Sequence, residues 1–124
     1  MKRSQTAGAV HTQYRFAIAK DVEVRPGKFY GFNAAGKLVK PQDADAGRKC
    51  VYSLETATGD AAETTRALCA VSVVAIVVKG TLTASDLGKR VYAATEDTVI
   101  ATDNTKPCGW LLGIDADTAA IQLG

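Results

Sequence analysis

The stretch Lys79-Gly-Thr-Leu-Thr-Ala-Ser-Asp-Leu-Gly-Lys-Arg-Val-Tyr-Ala-Ala94, with Cys108-Gly-Trp-Leu-Leu-Gly-Ile114 after it, predicts a capped turn followed by a meander of strands. Thr83 has a hydroxyl that can cap a short helical turn, and Gly88 can leave that turn with a positive φ. Short apolar segments at 90–94, 98–102 and 109–114 are typical of strands, because turn residues join them. A last strand is predicted at 119–124, after the turn at 115–118.

The residues before this region alternate in the same way. Tyr14, Phe16 and Ile18 are spaced as one apolar face of a strand. Pro26 and Gly27 occupy the two central positions of a predicted type II turn. Gly36 can supply the positive φ that closes a hairpin. The predicted strands in this half of the chain are 14–18, 22–24, 29–32, 37–40 and 50–54.

A valine-rich segment, Leu68 to Val78, links the two halves. Its β-branched bias favours a strand buried on both faces, and its length suggests that it crosses or bends between sheets. Asp60-Ala-Ala-Glu63 fits a capping box, which supports a single helical turn at most. Strands that recur about every eight to twelve residues predict an all-β fold, a small antiparallel barrel or sandwich with one or two short helical turns.

Chain length predicts the number of domains, and net charge limits the classes of partner. The chain has 124 residues, enough for one domain, which we place at 13–124. Residues 1–12 lack periodicity, so we expect a flexible N-terminal arm. The net charge is only +2, and positive and negative residues are interspersed along the chain. This pattern argues against a direct nucleic-acid or membrane partner.

The sequence offers little catalytic or metal-binding chemistry. His11 is the only histidine and lies in the predicted arm, so we expect no enzyme and no cofactor. Cys50, Cys69 and Cys108 lack the short paired spacing of zinc sites, so buried, reduced thiols are favoured and a disulfide is left open. Residues 43–47 superficially resemble a calcium loop without its later ligands, so solvated acidic turns are favoured and no metal is predicted.

Most aromatic side chains lie within apolar alternation, which favours packing in the core over stacking on nucleic-acid bases. Trp110 is the exception. Gly109 and Gly113 flank it and would allow the backbone of a partner to approach closely.

The order of strands and glycines over about residues 14–124 resembles the head decoration, or capsid cement, proteins of tailed bacteriophages. The segments that carry the likeness are Phe29-Tyr-Gly-Phe-Asn-Ala-Ala-Gly-Lys-Leu-Val39, the valine-rich strand, Leu82-Thr-Ala-Ser-Asp-Leu-Gly-Lys-Arg-Val-Tyr-Ala-Ala94 and Gly109-Trp-Leu-Leu-Gly-Ile-Asp115. The loop at 55–66 contributes nothing to it.

The resemblance implies a non-enzymatic, tulip-like β-barrel that binds the outer surface of the phage head and stabilises the lattice of the major capsid protein. It implies a homo-trimer or homo-dimer on the virion and a stay in the host cytoplasm during assembly. On this basis the expected capsid contacts are Lys2, Arg3, His11 and Trp110. Two alternatives are a phage tail or baseplate component, and a β-barrel module that binds a small ligand.

Overall fold

The computed structural model describes residues 12–124 and consists mainly of short antiparallel strands. The strands are β1 (Gln13–Ala17), β2 (Glu23–Val24), β3 (Phe29–Phe32), β4 (Leu38–Val39), β5 (Val51–Ser53), β6 (Ala57–Thr58), β7 (Arg66–Ala70), β8 (Val74–Val78), β9 (Arg90–Ala93), β10 (Val99–Ile100), β11 (Pro107–Ile114) and β12 (Thr118–Gln122). Two 3-10 turns, Pro41–Asp43 and Ala84–Asp86, are the only helical elements within this range. The predicted fold class is confirmed.

The strands form two five-stranded sheets and one small sheet. Sheet one has the order β1-β7-β5-β3-β4, and sheet two has the order β10-β9-β11-β12-β8. The small sheet pairs β2 with β6. Sheet two is therefore built from the C-terminal half of the chain, and β8 lies at one of its edges among the described residues.

Two apolar clusters hold these layers together. They lie on opposite faces of sheet one, because neighbouring residues of a strand point to opposite faces. Phe29 of β3 lies in the cluster between the two large sheets, with Leu111 and Ile121 of sheet two. Its neighbour Tyr30 points the other way, into a cluster with Val24 of the small sheet. Among residues 12–124, sheet one is thus covered on both faces, whereas sheet two is covered on one.

The predicted turns at Pro26–Gly27 and Gly36 are confirmed by their backbone. Gly27 has a φ of 77° and Gly36 a φ of 80°, values that a residue with a side chain rarely adopts. Ser53 is fully buried beneath the first of these turns. Its hydroxyl binds the carbonyl oxygen of Arg25 and accepts a hydrogen bond from the Lys28 amide at 3.3 Å. This hydroxyl therefore attaches the turn to sheet one.

The valine-rich segment does change sheets, but it is not one strand buried on both faces. It forms β7 in sheet one and β8 in sheet two, separated by a bend at residues 71–73. The Val71 carbonyl accepts a hydrogen bond from the Lys49 ammonium at 2.9 Å, and the Val73 carbonyl accepts one from the Leu123 amide at 2.9 Å. The hydrogen-bond partner of the backbone thus changes from Lys49 to Leu123 within three residues. One face of β8 is left exposed.

The capping box predicted at Asp60 is also wrong. Glu63 has a φ of 56°, and its carboxylate accepts from the Lys20 amide at 2.9 Å and does not reach back to Asp60. The Asp60 carboxylate accepts from the amides of Thr64 at 2.7 Å and Thr65 at 3.0 Å. It closes a turn that leads directly into β7, so no helical turn forms here.

Candidate binding surface on sheet two

The uncovered side of sheet two carries a row of exposed apolar residues on its edge strand. Val74, Ile76 and Val78 of β8 are exposed by 49%, 60% and 68%, while Ala75 between them is 2% exposed and lies in the core. The alternation of a strand places the three exposed side chains on one face. The sequence alone did not predict this exposure, because an unbroken apolar segment does not show which face of a strand is covered.

Neighbouring strands extend this surface. Ala120 of β12 lies opposite Ile76 on one side and opposite Gly113 of β11 on the other. The register of β11 shifts between Leu111 and Gly113, so Leu112 is an extra residue in a bulge and is 55% exposed. The small residues at positions 113 and 120 form the floor of a shallow depression of about 260 Å³.

We call this surface the outer face. Its members are Val74, Ile76, Val78, Trp110, Leu112 and Ala120. Their summed exposed area is on the order of 500 Å², comparable to the biggest apolar patch of a typical monomer, which often marks a binding site. The polar Gln122 lies on this face between Val74 and Trp110. The outer face is therefore the candidate functional surface of the chain.

Trp110 lies at the side of the outer face that is away from β8, and its neighbour Arg90 is charged. It lies opposite Arg90 of β9 and Gln122 of β12, and it is 39% exposed. The guanidinium carbon of Arg90 lies 4.6 Å from the centre of its ring, a cation–π contact. The contact restricts the ring, so Trp110 can offer a rigid apolar surface beside a positive charge.

Gly109, beside Trp110, has a different role from the one predicted. A Cβ on Gly109 would lie 2.2 Å from the Gln122 carbonyl oxygen, so the close approach is made by β12 of the same chain. A Cβ on Gly113 would meet only the Ala120 methyl at 3.7 Å, an ordinary contact. Gly109 thus allows the strands of sheet two to pair and does not receive a partner's backbone.

Of the four predicted contact residues, only Trp110 can be located. Lys2, Arg3 and His11, with the rest of the predicted arm up to residue 11, lie outside the described residues. The chain enters the described part at Thr12, whose carbonyl accepts from the Val71 amide at 2.8 Å. Thr12 thus lies beside the bend that leads from β7 to β8.

The three thiols are buried, and the described side chains form no metal site. Cys50, Cys69 and Cys108 are unpaired and buried, and burial raises the pKa of Cys50 and of Cys69 to about 12. Between Thr12 and Gly124, no group of three His, Cys, Asp or Glu side chains is arranged to hold a metal ion. The same range contains no helix that is long and apolar enough to cross a membrane.

A groove of about 390 Å³ lies beside β8, at the mouth between the two large sheets. Its walls include Phe29, Val77 and Glu96. The Phe29 amide donates to the Glu96 carbonyl at 2.9 Å, and the Lys28 ammonium pairs with the Asp97 carboxylate. These contacts tie sheet one to the turn before β10 and form one wall of the groove.

Comparisons with protein family models, with curated proteins and with solved structures gave no match to this chain.

Proposed function

We propose that this chain is a structural virion protein that decorates the head of a tailed bacteriophage and stabilises the lattice of its major capsid protein. The observation that carries the proposal is the outer face, an exposed apolar surface that extends over β8, β12 and β11 and includes Trp110 with its Arg90 contact. The sequence resemblance supplies the identity of the partner.

The proposed contact fits what is known of protein interfaces. Tryptophan and arginine are enriched among the residues that contribute most to binding, and apolar residues around them exclude water. A repeated lattice multiplies weak contacts, so each copy needs only modest affinity. Residues 1–12, with Lys2, Arg3 and His11, would lie along the capsid and become ordered on docking. The protein would act as a homo-oligomer without enzymatic activity, on the exterior of the head after assembly in the host cytoplasm.

Quantitative mass spectrometry of purified phage particles tests the location. We expect copies in the hundreds per particle, comparable to the major capsid protein. A handful of copies would indicate a tail or baseplate component. Complete absence would discard the virion proposal in favour of the ligand-binding module.

A binding assay with heads that lack the protein tests the surface. Trp110→Ala is expected to weaken binding at least tenfold, while Leu87→Ala, a matched truncation of an exposed apolar residue in the 3-10 turn region, should bind like the unaltered protein. Circular dichroism should show that both variants are folded. Equal binding by both variants would exclude the outer face as the capsid contact.

Removal of residues 1–12 tests the second part of the contact. We expect the shortened chain to remain folded, because the two apolar clusters named above consist of residues after position 15. Head binding should be abolished. Full binding by the shortened chain would refute the proposed role of the arm.

A further inference from the structure

The edge of β8 lacks the features that normally protect an exposed edge strand. Such strands usually carry a charged residue, a proline or a bulge that prevents pairing with another chain. Val74-Ala-Ile-Val-Val78 contains none of these, and its register with β12 is uninterrupted. All five of its side chains are apolar, and those of Val74, Ile76 and Val78 are exposed by 49% or more. The strand therefore has the properties of an interface.

The hydrogen bonds of β8 show which backbone groups are available. The Lys79 amide donates to the Asp117 carbonyl at 3.0 Å, and the Val73 carbonyl accepts from the Leu123 amide at 2.9 Å. In an antiparallel pair such bonding positions alternate, so odd-numbered residues of β8 face β12. The amide and carbonyl groups of Val74, Ile76 and Val78 consequently point away from β12, toward the edge that no other strand of residues 12–124 occupies.

We infer that β8 pairs with β8 of a second copy, antiparallel, about a two-fold axis at Ile76. In that register Ile76 lies opposite itself and Val74 lies opposite Val78, so every available backbone group meets another available group. The three pairs would form about six hydrogen bonds. The same patch serves both copies, as a two-fold interface requires.

The charges are compatible with this occupant, and the small contact area limits the stability of the dimer. The nearest charged residue of the strand, Lys79, would lie beyond the paired segment, opposite Val73 of the second copy, so like charges do not meet. The exposed surface of the three β8 side chains is on the order of 300 Å² per copy, so the pair falls below a standard interface of about 1,200 Å² or more. The dimer should therefore dissociate on dilution. This inference concerns the isolated protein and does not depend on a place in a virion.

Sedimentation velocity of the full chain over a range of concentrations is the first test. We expect a reversible change from 13.0 kDa to about twice that mass. Ile76→Lys should weaken the dimer at least tenfold, because it places two like charges at the axis. Leu112→Lys, an equivalent change on the outer face away from the edge, should leave the dimer unchanged. Equal weakening by both variants would indicate face-to-face packing and overturn the proposal.

Cysteine cross-linking tests the register directly. Opposed Cα atoms in a hydrogen-bonded pair lie about 5.5 Å apart, within the range that a disulfide spans. Oxidised Ile76→Cys should form a covalent dimer, and Leu112→Cys should not. A mixture of Val74→Cys and Val78→Cys should cross-link more than either variant alone. The three native thiols are buried and should not interfere.

Two results would overturn the inference independently of these variants. One is a full chain that stays monomeric at its highest soluble concentration. The other is a monomer whose Val74, Ile76 and Val78 amides are protected from hydrogen exchange, because a segment of the same chain would then cover the edge. Neither result would alter the measured copy number in phage particles, so failure of the dimer and failure of the proposed function remain distinguishable.

Discussion

Gly109 gives the sharpest test of how sheet two is built. In Gly109→Ala the new Cβ would lie 2.2 Å from the Gln122 carbonyl oxygen, where real contacts are hardly ever shorter than 3.0 Å. The backbone of β12 would have to move by about 0.8 Å, and it cannot yield as a flexible side chain does. The Ile121 side chain, fully buried in the core, would lie 3.0 Å from the same Cβ and limits that movement.

The magnitude follows from two opposing effects. Overpacking in a close-packed region costs about 1–3 kcal/mol. Replacing glycine by alanine lowers the entropy of the unfolded chain and returns about 0.4–1 kcal/mol. We expect Gly109→Ala to lower the free energy of unfolding by about 1–2 kcal/mol. For a chain of this length that corresponds to a fall in Tm of roughly 4–8 °C.

Gly113→Ala is the matched control, because it lies in the same strand on the other side of Trp110. Its Cβ would meet only the Ala120 methyl at 3.7 Å, and its φ is not positive. The entropic effect alone should apply, so this variant should equal or exceed the unaltered protein in stability by up to about 1 kcal/mol. Urea unfolding followed by the fluorescence of Trp110 measures both variants. Equal stability of the two variants would refute the close approach of β12 to Gly109.

Three further predictions concern buried and turn residues. The three thiols of Cys50, Cys69 and Cys108 should react with a reagent such as DTNB only when the protein unfolds, because burial raises their pKa values. Rapid labelling of the native protein would contradict their burial. The Thr64 hydroxyl and the Thr65 and Thr64 amides lower the pKa of Asp60, so its stabilisation is present above about pH 4 and is lost as the pH falls toward its folded pKa. Unfolding titrations should therefore show a smaller loss of stability below pH 4 in Asp60→Ala, and an unchanged pH dependence would exclude the effect. Ser53→Ala should lower the free energy of unfolding by about 1–3 kcal/mol, since it removes the buried hydroxyl that binds the 25–28 turn; a thermal melt like that of the unaltered protein would contradict this.

Much of the succession of strands and turns along the chain was predictable, because it depends on local chemistry. The predicted meander was wrong, since β9 lies between β10 and β11 in sheet two. The alternation of Tyr14, Phe16 and Ile18 predicted β1, and the segment 109–114 predicted most of β11. Gly27 and Gly36 marked turns through a backbone conformation that other residues rarely adopt. The Thr83–Gly88 segment contains the predicted short turn, with the Asp86 carboxylate accepting from the Thr83 amide at 3.0 Å.

The predictions were wrong where contacts with a distant segment of the chain determine the local structure. Glu63 was predicted to reach back to Asp60, but it accepts a hydrogen bond from Lys20, 43 residues earlier in the chain. The valine-rich segment was predicted to be buried on both faces, yet the layer that would cover Ile76 does not exist among residues 12–124. Pairing over such distances is not encoded in local composition.

The sequence by itself determined the class of the fold, because the periods of its apolar residues and the positions of its turn glycines are local properties. For most strands it also determined the ends to within a few residues, although β6 was not predicted and Leu68 to Val78 was predicted as one strand. Only the tertiary structure decided that the chain bends at 71–73 to pass from sheet one to sheet two, and that sheet two has one covered face. The physical reason is that burial depends on which strands pair and which layer packs above them, so Val74, Ile76 and Val78 became a surface only when the sandwich formed without a layer over sheet two.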